Sequence, residues 1–548
     1  MDDSTPPSRT AAFVLALILI VGAGVRLWGI QFGLPNTSVH PDESATVGIA
    51  AGMLFAGLNP HFFHWPSLEF YAVATIYRLG WQVGKYRGLF RHKWQIQEAM
   101  AANPALFLMV PRLLSVIAGV ATIWCAYRFT RAAFDRATAL VAAFFAAIAF
   151  LHVRDSHFGV PDVPATFLAM AAMLPLGRAL RDPLTRKHWT WSGILIGLAA
   201  STKYNAGIVA SVAAVVAAIV WIDAKGEDTA ARRRAAGRGL TRCAIVSVLA
   251  FLAGTPFAVL DFPNFIEGLR FNSEHLMAGH GPMLGRGWWY HLTFSLRYGL
   301  GLPLLIASIA GIVLLFVRSW RLAALVCTFP LVYYLIVGRG LTVFVRYVTP
   351  MVPFLCITAA VAVVAMMRAI ARRWPAAAPA MPAATAAVAI LVALPSIQSV
   401  IGFNTLASRD DTRLVAAAWL DAHRQPADWV DEEAPAMLHP TWGRKPGVNV
   451  SHFNAGRGGF FSEAEPDKAV TPDWIAVGST PVPLYGPSEA DMRAVMAGSY
   501  ELAATFSASS GPEPAEIFDR QDHFFFPYTD FSQRLRSGPD IRIYRRVK

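Results

Sequence analysis

The sequence predicts a mainly α, polytopic helical membrane protein with a small α/β or α+β domain at its C-terminal end. Three observations carry this prediction. The 548 residues are 55% hydrophobic with charge on only 15% of positions, whereas soluble domains carry roughly a quarter charged residues. Apolar runs long enough to cross a bilayer recur through residues 1–402. The excess of 48 Lys and Arg over 36 Asp and Glu is spread over short stretches between those runs, as cytoplasmic loops require, and forms no basic patch for nucleic acid.

The first run follows MDDSTPPSRT. A secretory signal would place small residues where Arg26 and Trp28 stand, so the segment reads as a retained signal anchor. Further runs lie at 107–127, 137–153, 163–180, 204–222, 240–260, 300–316, 322–338, 349–366 and 383–401. A shorter one at 191–202 meets its neighbour at Ser201-Thr202-Lys203-Tyr204, which brings the expectation to about eleven crossings. The loops 128–136, 178–188, 224–242, 317–321 and 366–374 hold eighteen Lys and Arg against four acids, and alternate crossings put all five on one side. Positive-inside makes that side the cytoplasm. The N-terminus is then cytoplasmic, while 31–105, 154–162, 261–299, 339–347 and everything beyond about 402 face the outside of the cytoplasmic (inner) membrane. Residues 67–84 are apolar, but a single crossing there would turn all five basic loops outward, so the segment reads as interfacial or re-entrant within the first external loop, 31–105.

The domains are therefore 1–402 in the membrane and 403–548 as a periplasmic or extracellular domain. In the latter, DTRLVAAAWLDAHRQP reads as an amphipathic helix, DWIAVGST as a buried strand and IRIYRR as an alternating strand. The cysteines Cys125, Cys243, Cys327 and Cys356 lie in or beside apolar runs without C-x-x-C spacing, which fits neither a zinc site nor a disulfide framework.

Charges cost about 2.5–3.5 kcal/mol at a span's centre on insertion scales, and the spans here are nearly free of acids. The carboxylates gather at external span ends instead. His40-Pro41-Asp42-Glu43 precedes a helical pattern. There the acids suit the helix's positive end, and a partly desolvated carboxylate at the same place is a general base for an acceptor hydroxyl. The turn Arg154-Asp155-Ser156-His157-Phe158-Gly159-Val160-Pro161-Asp162 holds two acids, an arginine and a histidine, and Asp162 stands where a carboxylate also caps a helix. Lys203-Tyr204 and Arg346-Tyr347, the latter followed by Pro350 and Pro353, put cations on the external side, where a phosphate partner or lipid headgroups account for them. His61 and His64 are three apart among aromatics, weak spacing for a metal and equally a membrane-interface belt.

The run FGLPNTSVHPDESATVGIAAGMLFAGLNPHFFHWPSLEFY, the turn ending Val160-Pro161-Asp162, Thr202-Lys203, the Arg346-Tyr347-x-x-Pro350 segment and Asp411-Thr412-Arg413 with Ala418-Trp419 together resemble family 39 glycosyltransferases of the GT-C superfamily. These are relatives of protein O-mannosyltransferases and of the aminoarabinose lipid A transferase. The resemblance implies inverting transfer of a sugar from a polyprenyl-phosphate donor to a free hydroxyl of a lipid, glycan or protein acceptor. It implies Asp42 as catalytic base with Glu43 as its partner, and Asp162, Asp155 and His157 as a second external motif. Lys203, Arg346 and Tyr347 fall where phosphate contacts are expected, with His40, His61, His64 and Tyr204 among the substrate-binding residues. The sequence requires no cofactor, and a divalent metal is compatible with it.

The chemistry agrees with the resemblance: charge growing on a departing phosphate is stabilised by cations set in place beforehand, and one base suffices for a single inverting displacement. The rival reading is a lipid or sugar-lipid transporter or flippase, whose signatures are midplane ionisable residues or repeated halves. A third is a polytopic scaffold, which leaves the external acids and cations without a role.

Overall fold

A run of twenty apolar residues satisfies its backbone in lipid only by coiling into a helix, and the computed structural model is correspondingly helical through its first four hundred residues. It describes residues 9–36, 39–432, 447–454, 456–482, 496–522 and 524–547. The polar flank of the expected signal anchor, residues 1–8, lies outside the described residues.

The chain divides into two units, one made of Met1–Leu27, Thr46–Glu98 and Val110–Val400, the other of Trp28–Ala45, Ala99–Met109 and Ile401–Lys548. Among the described residues eight helices are long and apolar enough to cross a membrane, and the pair Gly287–Leu300 and Leu302–Arg318, bent by 113°, makes a ninth if taken as one span. The bend falls at Gly301, whose φ of +82° suits a residue without Cβ. The chain is thus a multi-pass membrane protein. Two expected runs form shorter helices: 137–153 divides at Ala149 into Arg136–Ile148 and Phe150–Asp155, and 191–202 lies in the 17-residue helix Arg186–Thr202. Residues 67–84 form the helix Leu68–Tyr86, which fails the apolarity a span needs. Two stretches that read as loops are helical. Thr229–Gly254 runs through the basic segment because alanine and arginine are strong helix formers, and Phe262–Ala278 fills much of 261–299.

In the first unit the five basic stretches share one end. Arg368 pairs with Asp135 at 2.8 Å and Arg321 with Asp223. One cleft is lined by Arg128, Arg178, Arg181 and Leu322, and a second by Arg318, Arg368 and Arg372. Neighbouring helices approach through small residues. A Cβ on Gly197 would stand 2.2 Å from the Ser247 carbonyl oxygen, and one on Gly193 would stand 2.6 Å from that of Cys243, so helix Arg186–Thr202 lies almost backbone to backbone on Thr229–Gly254. The break at Ala149 is bridged by Arg26, fully buried at the end of the first span. Its guanidinium donates to the Ala147 and Ala146 carbonyls at 2.9 and 3.2 Å and to Ser156 Oγ at 3.1 Å, serving the open carbonyls of a helix end.

The second unit carries a seven-stranded sheet of strands β1 (Trp429–Glu432), β2 (Asn449–Asn454), β3 (Gly459–Ser462), β4 (Ala469–Val470), β5 (Trp474–Ser479), β6 (Tyr500–Phe506) and β7 (Asp540–Arg546) in the order β4-β3-β2-β1-β5-β7-β6. β1 runs parallel to β2 and β5, and the other pairs are antiparallel. Trp474 and Ala476 of β5 pack under Ala416, Ala417 and Leu420 of helix Thr412–His423, while Ile475 and Val477 face Phe460 on the other side. The expected buried strand is therefore covered on both faces. Asp411 caps that helix through the Arg413 amide at 3.0 Å and takes two bonds from the Arg413 guanidinium, both side chains being fully buried. Burial alone would raise the Asp411 carboxyl, but the Arg413 charge and its hydrogen bonds hold it below its ordinary value. Trp28–Ala45 folds into the same unit, with Phe32 edge-on to Phe526 at 5.6 Å and His40 stacked on Phe524 at 3.9 Å.

Two predictions follow from this packing. Gly197→Val lowers the stability of the detergent-solubilised protein by about 1–3 kcal/mol, read as a drop in thermal midpoint. Gly237→Ala, with open space at its Cβ, stays within about 0.5 kcal/mol of wild type; equal effects would remove the close approach as the cause. Asp411→Ala takes the carboxylate away from a buried guanidinium and costs about 3–5 kcal/mol, seen as early protease cleavage within residues 401–548. Because the folded carboxyl titrates below its unfolded value, the stability it supplies is present above about pH 3.8 and lost as pH falls through the lower folded value.

Candidate active site

The turn between Phe150–Asp155 and the helix Asp162–Arg181 is shaped by its own polar side chains. Ser156 Oγ donates to the His152 carbonyl, and His157 Nδ1 lies 2.9 Å from the Val153 carbonyl, so the fully buried His157 ring is turned back onto its own helix. Pro161 then opens the next helix, as proline suits a first turn. Asp162 makes no capping bond. Its buried carboxylate pairs with Lys203 Nζ, which reaches it from the last residue before the bend at the end of Arg186–Thr202. Lys203 is only 16% exposed, so it turns into the protein and not towards lipid headgroups, and its ammonium also lies 5.4 Å over the Tyr347 ring.

The 3₁₀ turn Val345–Met351 completes this cluster. Thr349 Oγ1 donates to Asp155 Oδ2, and Arg154 Nη1 donates to Asp155 Oδ1 at 2.8 Å. Burial raises the Asp155 carboxyl, with Arg154 opposing. Tyr333 Oη donates to the Tyr347 carbonyl at 2.9 Å and accepts from Asn205 Nδ2 at 2.7 Å. The Arg346 guanidinium rests 5.1 Å over the Phe344 ring, near His275. The turn of Asp155 and Asp162, Lys203 and Tyr347, which the sequence singles out at three separate places, therefore meet through one network of helix ends.

The first-loop segment 61–70 is tied to the same bend. Tyr204 Oη donates to the Phe63 carbonyl at 3.0 Å, the Ser67 amide donates to Thr255 Oγ1 at 3.3 Å, and Thr255 Oγ1 lies 2.7 Å from Ser201 Oγ. The two histidines of this segment do not converge. His61 sits 3.4 Å from Asp261, whereas His64 stacks on Phe271 at 3.8 Å. Among the described residues no three His, Cys, Asp or Glu are grouped to hold a metal ion.

His40, Asp42 and Glu43 belong to the second unit. The His40 carbonyl accepts from the Glu43 and Ser44 amides at 3.1 and 3.3 Å, which starts the helix Pro41–Gly52. Glu43 is buried, while Asp42 in the same first turn is half-buried and reaches solvent.

Sequence reasoning passes over four residues that the structure brings forward: Glu69, Asn205, Tyr333 and Thr349. Glu69 alone carries a signal, an acid in the first turn of a helix whose other residues up to Tyr77 are uncharged.

The family model for dolichyl-phosphate-mannose-protein mannosyltransferases matches residues 108–252, the stretch that holds Asp155, Asp162 and Lys203. No curated protein matches by sequence. The apo structure of ArnT from Cupriavidus metallidurans shares 16% identity at a TM-score of 0.51, over 91% of this chain and 97% of that one. The Archaeoglobus fulgidus oligosaccharyltransferase tethered to an acceptor peptide shares 12% identity at a TM-score of 0.51, over 98% of this chain and 88% of that one. Its apo form shares 14% identity at a TM-score of 0.50 over 76% of this chain, which spans 58% of that structure's length. At these identities the likeness is one of fold, shared with ArnT and with the archaeal oligosaccharyltransferase.

Proposed function

We propose that the protein is an inverting membrane glycosyltransferase that moves a sugar from a polyprenyl-phosphate carrier to a hydroxyl of a lipid, glycan or protein acceptor at the outer face of the cytoplasmic membrane. The observation that carries this reading is the buried Asp162–Lys203 pair and its neighbours, set at the ends of apolar helices long enough to span, a position suited to a lipid-borne headgroup. The fold likeness and the mannosyltransferase family match support it.

In the proposed reaction Asp42 accepts the proton of the acceptor hydroxyl as its oxygen bonds to the anomeric carbon, and the bond from that carbon to the phosphate oxygen breaks. Asp42 lies in the first turn of its helix, where negative charge is favoured, with Glu43 buried one residue on. Lys203 and Arg346 meet the phosphate, where negative charge grows. The Asp162 pairing holds the lysine in place before the donor arrives, so little is spent on ordering it. Asp155 and Thr349 fix the 3₁₀ turn that presents Arg346 and Tyr347. A divalent ion, if the enzyme uses one, would add charge beside the same phosphate.

Two measurements test this. Asp42→Asn in the purified, lipid-reconstituted protein abolishes transfer from an undecaprenyl-phosphate-linked sugar while its melting temperature stays at the wild-type value; near-normal turnover would take Asp42 out of the mechanism. Lys203→Ala and Arg346→Ala each weaken binding of undecaprenyl phosphate by about 1.5–3 kcal/mol, one charge-assisted contact apiece, and unchanged affinity would separate both from the phosphate.

A further inference from the structure

Glu69 stands in the first turn of Leu68–Tyr86, outside the spanning segments, and is only 4% exposed. Both of its carboxyl oxygens are buried without a hydrogen-bond partner among the described residues, and the same holds for Trp65 Nε1 and Asn205 Oδ1. The orientation of the Asn205 amide is fixed by its neighbours. The Tyr333 hydroxyl spends its proton on the Tyr347 carbonyl and must accept from Asn205 Nδ2, which turns Oδ1 away from that network. The bonds from Tyr204 to Phe63 and from Ser67 to Thr255 hold the segment of Trp65 and Glu69 against the bend of Asn205. A native protein does not bury polar atoms in this number without a partner, since each forgoes a hydrogen bond it made in water.

The chemistry of the group indicates what that partner is. Burial lifts the Glu69 carboxyl to about 8, with Asp162 adding to the rise and Lys203, the other charged group facing it, opposing it. At neutral pH Glu69 is therefore an uncharged acid that both donates and accepts, and Asn205 Oδ1 is an acceptor. An ionised phosphate offers only acceptors and cannot satisfy Asn205, whereas a sugar hydroxyl both donates and accepts. We propose that Glu69, the Asn205 amide oxygen and the Trp65 indole form a subsite that hydrogen-bonds the hydroxyls of the transferred sugar and so sets which glycosyl group is accepted. This assignment rests on the transferase reading above. Truncating Glu69 leaves a sugar hydroxyl unpaired among buried groups, where discrimination is steep.

The test measures binding of undecaprenyl phosphate, bare and bearing mannose, glucose or arabinose, to the full-length protein in nanodiscs. Glu69→Ala and Asn205→Ala are expected to weaken the preferred sugar-bearing lipid roughly tenfold and to leave the bare lipid within about twofold. Glu69→Gln keeps the shape, one donor and one acceptor, and guards against loss of the fold. It holds wild-type affinity within about threefold and removes the weakening that the wild type shows above pH about 8, where Glu69 loses its proton. Equal weakening of both lipids, or none of either, would overturn the subsite while leaving the donor reading intact. If the wild type binds neither class of lipid, the donor reading falls and the subsite falls with it.

Discussion

The ion pair between Asp162 and Lys203 is the constraint on which the candidate site depends. Each charge alone would be costly to bury, and each sits at a helix end that the other fixes in space. Through it the start of Asp162–Arg181 and the end of Arg186–Thr202 are held together, and the Tyr347 ring under the ammonium draws in the 3₁₀ turn Val345–Met351. That turn then brings Thr349 to Asp155. Charges that would otherwise be isolated liabilities in an apolar protein are joined in one connected polar network.

The surrounding helices make such a network possible by leaving little room for adjustment. Helix Arg186–Thr202 lies on Thr229–Gly254 at glycine distances, so Lys203 at its end is carried on a stiff support. Arg26 performs a related task at the break after Ile148, serving carbonyls that the interrupted helix cannot satisfy and fixing Ser156 at the head of the acidic turn. In lipid, where no water repairs an open backbone group, both devices amount to the same solution: polar atoms are matched inside the protein, and irregular backbone is kept where side chains can meet it. A site of the proposed kind, receiving a charged headgroup, would thereby be organised in advance.

Much of this was legible in the residues. Apolar runs located the spans, and the clustering of arginine located the end that Arg128, Arg178, Arg368 and Arg372 share. Full burial of β5 followed from the unbroken Trp-Ile-Ala-Val run. The acids and cations at span ends drew attention before any contact was known, because charge in such a chain is expensive. What stayed hidden depends on distant pairing. Nothing in the vicinity of Trp28–Ala45 announces that Phe32 and His40 join Phe526 and Phe524, nearly five hundred residues away. The basic stretch after Thr229 looks like a loop by charge, yet alanine and arginine carry the helix through it. Glu69 reads as an ordinary first-turn acid until burial is known, and Asn205 has no signal at all, since its role depends on which way Tyr333 spends its proton.

The helix ends around Asp162 and Lys203 bring cations and hydrogen-bonding groups together within the membrane unit. The central claim is that the Lys203 and Arg346 end of the membrane unit receives the carrier's phosphate. The most direct test is a cryo-electron microscopy structure of the full-length protein with undecaprenyl phosphate. Phosphate density is expected within hydrogen-bonding distance of Lys203 Nζ and the Arg346 guanidinium. Density confined to the opposite, arginine-rich end, in the cleft of Arg128, Arg178 and Arg181, would contradict it.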